Sequence, residues 1–284
     1  MSKIIDLHSH TIASDGTLSP EELVSLAREN AVDVLAITDH DSVESLASAQ
    51  IAAESNGIQL VPGVEISTRW SGQDIHVVGL GIDASASVLR DGLKIQCQTR
   101  INRAVKIANK LEKHGVNDAL IKAQEIAGRE SVGRPHFARY LIEIGFVKSF
   151  DEAFKKHLGA GKNAYVAIEW ATIEEAITWI QDSGGLAVLA HPGRYRMTRT
   201  KLRALIKAFK VWGGDAIEVC TPNHEPHMIS YLAKLSQDFN LLASQGSDFH
   251  TPDTPWVKLG RMPMLPSECD PIWREEKRLF GAIS

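Results

Sequence analysis

The chain has 284 residues, enough for one large α/β domain or for such a domain carrying a smaller insert. Apolar residues make up 44% of it and charged residues 23%, the balance of an ordinary globular protein rather than a disordered or fibrous one. The net charge of -4, with histidine neutral, excludes nucleic-acid binding by general electrostatic attraction, so any nucleic acid must be taken by a local cationic site.

The first apolar run covers 4–7. Ser19-Pro20-Glu21-Glu22 then reads as a helix start, with a capping serine, a proline in the first turn and acids near the positive end of the dipole. A run at 34–38 follows, and the helix after it stops at Gly57. Runs at 59–61, continuing into 64–67, and at 75–80 come next. These runs are apolar on consecutive positions rather than alternating, the pattern of buried parallel strands.

From 85 to 167 the strand signal nearly vanishes. Ile101, Val105, Ala108 and Leu111 recur at helical spacing, and Arg134-Pro135-His136-Phe137 and Asp151-Glu152-Ala153-Phe154 resemble helix starts. Beyond this section Thr172-Ile173-Glu174-Glu175 opens a helix that ends at Gly184-Gly185, before runs at 186–190, 216–219 and 241–244. The tail after Pro252, rich in proline and tryptophan, is expected to wrap the surface without a helix–strand rhythm. Seven strands alternating with helices imply an α/β fold with a parallel sheet or barrel. The expected domains are a first barrel part at 1–84, a helical insertion domain at 85–167 and a second barrel part at 168–284.

Imidazoles and carboxylates gather where these runs end. The first run leads into Asp6-Leu7-His8-Ser9-His10, and residues two apart on a strand point the same way, so His8 and His10 can reach one ion. Asp15 lies in the following loop, and His40 stands in Thr38-Asp39-His40-Asp41. Glu65 stands in Pro62-Gly63-Val64-Glu65-Ile66, and His76 lies in the fourth strand. His191 follows the fifth strand in Ala190-His191-Pro192, and Asp248 and His250 follow the seventh in Gly246-Ser247-Asp248-Phe249-His250. In a parallel barrel the strand C-termini converge on one face, which is where active sites form. Asp39 and Asp41 read as caps of the next helix rather than as ligands. His114, His157 and His227 lie in helical stretches and read as solvated, while Glu218 and His224 stand near the sixth strand as secondary candidates.

His8-Ser9-His10, Asp15-Gly16, Thr38-Asp39-His40, Gly63-Val64-Glu65, His76, Ala190-His191-Pro192 and Gly246-Ser247-Asp248-Phe249-His250 together resemble the PHP (polymerase and histidinol phosphatase) family. The resemblance spans the chain and is interrupted by the insert. It implies a distorted (β/α)7 barrel, the PHP fold, with a helical insertion domain. Carried over residue by residue, it implies three divalent metal ions. His8, His10, Glu65 and Asp248 would hold the first, Glu65, His76 and His191 the second, with Glu65 bridging, and Asp15, His40 and His250 the third. Ser14-Asp15-Gly16-Thr17 and Gly133-Arg134-Pro135-His136 are similar to one branch of the family in particular. That branch removes the 3′-phosphate of nucleoside 3′,5′-bisphosphates and trims short RNA from its 5′ end.

Three divalent ions would outweigh the three carboxylates of Asp15, Glu65 and Asp248, a surplus that suits an anionic ester. The expected reaction is phosphoester hydrolysis by a metal-bridging hydroxide, with Glu65, Asp248 and His191 at the catalytic centre. Imidazole and carboxylate donors without thiolate put Mn first, with Fe and Zn as alternatives. A phosphate outside the cluster needs its own partners, for which Arg134, His136 and Arg194 are the candidates, with Lys162 beside them. The expected partners are a small phosphorylated nucleotide and short RNA 5′ ends, with no membrane and no stable protein partner. Cys97, Cys220 and Cys269 form no CxxC pair and read as reduced thiols. With an opening segment that lacks a signal-like apolar run, they lead to the expectation of a cytoplasmic protein. The rival readings are a phosphatase for another small substrate such as histidinol phosphate, a non-catalytic metal-binding module, and an amidohydrolase.

Overall fold

The apolar runs pair side by side. In the computed structural model, which describes residues 3–280, seven strands form one sheet in sequence order. They are β1 (Ile5–Asp6), β2 (Val34–Ile37), β3 (Gln59–Trp70), β4 (Gln73–Leu80), β5 (Leu186–Leu189), β6 (Ala216–Cys220) and β7 (Leu242–Gln245). Backbone bonds from Leu7 N to Gln245 O (3.1 Å), Asp248 N to His8 O (2.9 Å) and His10 N to Phe249 O (2.9 Å) join the end of β7 to that of β1. The sheet thereby nearly closes into a barrel.

The expectation of parallel strands throughout fails at β4. Between β3 and β4 stand only Ser71 (φ 49°) and Gly72 (φ 81°), both left-handed, which is the geometry of a two-residue hairpin. No crossover helix fits there, so β4 runs antiparallel to β3 and also to β5. The other neighbours pair in parallel. As β3 continues unbroken from Gln59 to Trp70, Glu65 sits in mid-strand rather than at a strand end, and His76 likewise lies within β4.

Strand alternation explains the consecutive apolar residues. Leu35, Ile37, Ala187, Leu189 and Ile217 face one cluster, shared with the surrounding helices. Val34, Ala36, Leu186, Val188 and Ala216 face another, inside the barrel. Both faces of each strand are covered, so neither shows a polar side in sequence.

Helix α1 (Pro20–Glu29) starts as expected, with the Ser19 hydroxyl accepting from Glu22 N at 3.2 Å and the Glu22 carboxylate accepting from Ser19 N at 2.8 Å. Helix α2 (Leu46–Asn56) ends at Gly57, φ 65°. Asp39 and Asp41, read from sequence as its caps, do not cap it. Asp39 is buried beneath the loop after β1 and accepts from Thr11 N (2.8 Å), Thr11 Oγ1 (2.7 Å), Ser14 Oγ (2.5 Å) and Ser45 Oγ (2.5 Å). Asp41 accepts from Ser67 N at 2.8 Å.

The chain divides into two compact units, one holding residues up to Leu93 together with those from Ala171 onward, the other Lys94–Trp170. Helix α3 (Ser87–Glu112) begins in the first unit and continues in the second. The second unit adds α4 (Ala119–Ala127), α5 (Arg134–Glu143) and α6 (Phe150–Ala153), the last continuing as a π-helical turn over Phe154–Leu158. Its core is built from Ala104, Ile107, Ala108, Leu111, Phe137 and Leu141, among others. Val105, expected on the buried face of α3, is instead 40% exposed, because the buried stripe runs through Ala104 and Ile107.

The barrel resumes with α7 (Ile173–Asp182), α8 (Arg199–Val211) and α9 (Pro226–Asp238) between its strands. The last element among the described residues is α10 (Glu276–Phe280). The tail does more than wrap the surface, since Ile272 and Leu279 pack into the inner cluster beside Leu7 and Val34. Among the described residues no helix is long and apolar enough to cross a membrane.

Candidate metal centre

Alternation within the strands aims the site. Glu65 shares the inward face of β3 with Val61, His76 that of β4 with Val78, and Glu218 that of β6 with Ala216. His8 and His10 come from the segment after β1, His40 from that after β2, His191 from that after β5, and Asp248 and His250 from that after β7. Two of these residues bend the chain sharply: His191 has φ 29° and Asp248 φ 53°, both left-handed. Such backbone persists in non-glycine residues where surrounding bonds hold it.

The nine residues singled out from the sequence are brought together. Glu65 lies at the middle of the cluster, fully buried. Its Oε1 meets His76 Nδ1 at 2.9 Å and His191 Nε2 at 3.1 Å. Its Oε2 lies 3.2 Å from His8 Nε2, 3.3 Å from His10 Nε2 and 3.1 Å from His40 Nδ1. Asp248 Oδ1 adds contacts at 3.4 Å to His8 Nε2 and 3.2 Å to His10 Nε2. On the far side of His10, His250 Nε2 meets Asp15 Oδ1 at 3.2 Å, and His40 Nε2 is 4.0 Å from Asp15 Oδ2.

These residues fit divalent cations. His8 Nε2 and His10 Nε2 face each other at 3.1 Å. With Glu65 Oε2 and Asp248 Oδ1 they make a set of four donors whose measured separations run from 3.1 to 3.4 Å. Donors around one tetrahedral ion, at bond lengths of about 2.0–2.1 Å, stand about 3.3–3.4 Å apart. Glu65 Oε2 and His40 Nδ1 are buried without a hydrogen-bond partner among the described residues, so a cation would satisfy lone pairs that the protein leaves unmatched. Three groups of converging donors emerge: His8, His10, Glu65 and Asp248; His40, Glu65 and His76; and His10, Asp15, His40 and His250.

The electrostatics follow from packing acids among imidazoles. Burial alone would raise the pKa of Asp15, Glu65 and Asp248. Histidine neighbours, joined at Asp248 by Arg194, outweigh it and hold all three well below the usual carboxylate range. Burial pushes His40 down to about 3 and lowers His191. At His250 burial is overcome by Asp15 and Asp248, and the pKa rises to about 9. At His8 it is overcome by Glu218, Glu65 and Asp248, and the pKa rises well above the ordinary value.

Several supporting residues escaped the sequence reading or stood at its margin. Asp6 accepts from Ser247 N and Gly260 N, each at 2.8 Å, pinning the loop that carries Asp248. The Tyr195 hydroxyl donates to Ala190 O (2.9 Å) and accepts from His76 N (3.0 Å), locking β4 against the His191 segment. Glu218 accepts from His8 Nδ1 at 2.7 Å and from His191 N at 2.5 Å. His224 accepts from Gly193 N through Nε2 at 3.1 Å and donates through Nδ1 to Val219 O at 2.9 Å. For Asp6 and Glu218 the signal was a carboxylate inside an otherwise apolar run. Gly246 permits a close approach of backbone to site, since a Cβ there would collide with the His8 side chain.

The substrate candidates fall in different places. Arg194 stands in the first unit, ion-paired with Asp248. Arg134 and His136 belong to the second unit, at the start of α5. Arg134 is half-buried with its guanidinium 5.7 Å from the Phe154 ring centre, and His136 is buried and accepts from Gly133 N at 3.1 Å. His114 and His227 are exposed as expected, whereas His157 packs beside Phe146 and contacts Asn163.

The chain is similar to known proteins along nearly its whole length. A 5'-3' exoribonuclease, Rnm, of Escherichia coli strain K12 is 46% identical over 273 residues, covering 95% of this chain and 93% of that one. A 3',5'-nucleoside bisphosphate phosphatase of Chromobacterium violaceum is 42% identical over 272 residues, covering 95% of each. A solved structure of an amidohydrolase from Chromobacterium violaceum, with bound sulfate and no metal, superposes with a TM-score of 0.93 at 41% identity over 98% of both chains. The PHP domain itself is matched over residues 6–211, from the aspartate before the first histidine pair to the end of α8. With a match of that extent and relatives similar along nearly their whole length, the chain belongs to the PHP domain family.

Proposed function

We propose that the chain is a metal-dependent phosphoesterase that removes the 3′-phosphate of nucleoside 3′,5′-bisphosphates and trims short 5′-phosphorylated RNA from its 5′ end. The observation that carries this reading is the convergence of His8, His10, Asp15, His40, His76, His191, Asp248 and His250 on and around the buried carboxylate of Glu65. The relatives named for these two activities support the choice of substrate.

We assign His8, His10, Glu65 and Asp248 to one ion, Glu65, His76 and His191 to a second, and Asp15, His40 and His250 to a third, with Mn the preferred metal. Divalent ions, when bound, supply an activated water and positive charge for the phosphoryl oxygens. The polypeptide supplies the rest. Asp15, Glu65 and Asp248 are ionised at neutral pH and so present three negative charges. Glu65, within 3.3 Å of five imidazoles, fixes the spacing of both sides of the cluster. Arg194 at the rim and Arg134 with His136 in the insert are assigned to phosphate recognition, for which a guanidinium offers paired donors. The three free cysteines support a reducing compartment, which we take to be the cytoplasm.

The test is release of inorganic phosphate from nucleoside 3′,5′-bisphosphates, nucleoside 5′-monophosphates, histidinol phosphate and 5′-phosphorylated oligoribonucleotides, with and without chelator. Turnover of the bisphosphate and the oligonucleotides that vanishes on chelation and returns with Mn supports the reading. Full activity in protein that elemental analysis shows to be metal-free, or activity confined to histidinol phosphate, overturns it.

A further inference from the structure

We propose that Glu218 is a positioning residue that sets two ligands of the cluster at once, the ring of His8 and the backbone turn at His191, and so couples the two sides of the metal centre. This inference rests on the reading of the cluster as a metal centre.

Glu218 is an anomaly of sequence before it is one of structure. It interrupts the apolar strand Ala216-Ile217-Glu218-Val219-Cys220, and the fold buries it completely. A buried carboxylate is costly unless donors meet it. Both oxygens of Glu218 are met, each by a residue of the site. Oε1 lies 2.7 Å from His8 Nδ1, and Oε2 accepts from His191 N at 2.5 Å. With its oxygens taken, Glu218 belongs to none of the three groups of converging donors among the described residues. Its role is therefore exercised through other residues.

Toward His8 the consequence concerns the tautomer. A carboxylate only accepts, so His8 Nδ1 must carry the hydrogen. The lone pair of the neutral ring is then on Nε2. That nitrogen points at Glu65 Oε2 (3.2 Å), His10 Nε2 (3.1 Å) and Asp248 Oδ1 (3.4 Å), the point where a cation would sit. A ring free to take the other tautomer would turn an N–H toward that point. A carboxylate behind a ligating histidine also makes it a better donor.

Toward His191 the consequence concerns backbone. His191 has φ 29° and ψ 53°, a conformation that side chains rarely adopt, and it leads directly into a 3-10 turn over Pro192–Arg194. The bond from its N–H to Glu218 anchors the residue at its entry. Two residues on, Gly193 N donates to His224, itself fixed on Val219 O, so β6 and the loop after it grip the turn twice. This turn aims His191 Nε2 at Glu65 Oε1, 3.1 Å away. His8 touches one oxygen of Glu65 and His191 the other. Glu218 thus spans from behind the same pair that Glu65 joins in front.

The experiment compares wild type, Glu218→Gln and Glu218→Ala. Each is stripped of metal and titrated with Mn2+ by calorimetry and by competition with a metallochromic chelator. Glu218→Gln keeps the shape, but its amide oxygen can accept from only one of the two N–H groups. Glu218→Ala removes both acceptors. Loss of a carboxylate behind a metal-binding histidine weakens binding by about ten- to a hundredfold. The expected result is a loss of that size in Glu218→Ala, and a smaller loss of at least severalfold in Glu218→Gln. Nitrogen-15 spectra of wild type loaded with diamagnetic Zn2+ should show His8 protonated at Nδ1 and not at Nε2. Variants whose Mn2+ isotherms superimpose on wild type overturn the inference, as does a lowered melting temperature of the stripped protein with unchanged metal affinity. Wild type that binds no Mn2+ would instead overturn the reading of the site as a metal centre, independently of any variant.

Discussion

Arg194 is ion-paired with Asp248, the arginine side chain 44% exposed and the aspartate side chain only 7%. One residue expected to bind substrate phosphate therefore rests on one expected to bind metal. A cation already beside the carboxylate competes with an incoming ion, and the same cation at the rim is placed to meet an anion. Arg194→Gln should raise Mn2+ affinity severalfold while lowering kcat/KM for phosphorylated substrates by roughly ten- to a hundredfold, the range for a lost charge-assisted contact. Calorimetric titration and phosphate release measure the two effects separately. Weaker metal binding in the variant would make Arg194 a brace for Asp248 and nothing more.

The pH dependence of metal binding has a defined sign. His250 has its pKa raised to about 9 by Asp15 and Asp248 against the effect of burial, so without metal it holds its proton at pH 7.5. Ligation through that ring must expel the proton. Apparent affinity should rise with pH until about 9 and fall roughly tenfold per unit below it, more steeply if His8 contributes a second proton. Calorimetry at pH 7.5 in two buffers of different ionisation enthalpy should detect release of at least one proton per protein. Binding that neither releases protons nor weakens in acid would remove His250 and His8 from the ligand set.

Arg134 tests recognition apart from chemistry. Its position at the start of α5, after the extended Gly133, combines a guanidinium with backbone N–H groups. Arg134→Ala should lower kcat/KM for a nucleoside 3′,5′-bisphosphate by about ten- to a hundredfold, the effect of roughly 1.5–3 kcal/mol. Turnover of a simple aryl phosphate should change little. Equal losses on both substrates would put Arg134 at the reacting phosphate or in the fold.

Gly246 tests the packing behind the cluster. An added Cβ meets the Cβ of His8 and lies 2.7 Å from His8 N, both of them held in place by the β1–β7 bonds. Gly246→Ala should lower stability by about 1–3 kcal/mol, as overpacking does, and weaken Mn2+ binding as His8 shifts. Chemical denaturation of the metal-free and metal-loaded variant measures both. A variant as stable as wild type would mean that the seam gives way cheaply.

The candidate site was largely legible because histidine and carboxylate are rare in strands that are apolar on both faces. His8, Glu65, His76 and Asp248 stood out against Leu7, Val64, Val77 and Phe249, and the fold brought them together. The direction of β4 was harder to read, since a strand buried on both sides carries no pattern that distinguishes parallel from antiparallel. The hairpin at Ser71-Gly72 was its only local sign. Asp39 was misjudged because an aspartate before a helix serves equally well as a cap, and its burial under Thr11 and Ser14 depends on segments distant in sequence. Glu218 carried a signal, a charge inside the apolar run 216–219, but its two partners lie in the segments after β1 and β5, which no spacing reveals.

The seam between β1 and β7 gives the cluster a mechanical role. Regular pairing of β1 is only two residues long, and the contact of His10 with Asp248 bridges 238 positions of sequence. Ions held by residues from both sides of that seam would act as a clasp on the two ends of the barrel. Loading and closure then form a single equilibrium, because a ligand that binds only the closed barrel stabilises it by mass action. Starved of metal, the protein would lose stiffness first along this line. Amide exchange at Leu7, His10 and Asp248 would quicken ahead of the β5–β6 core, so that the supply of cations governs how long the barrel stays shut as well as whether it can turn over substrate.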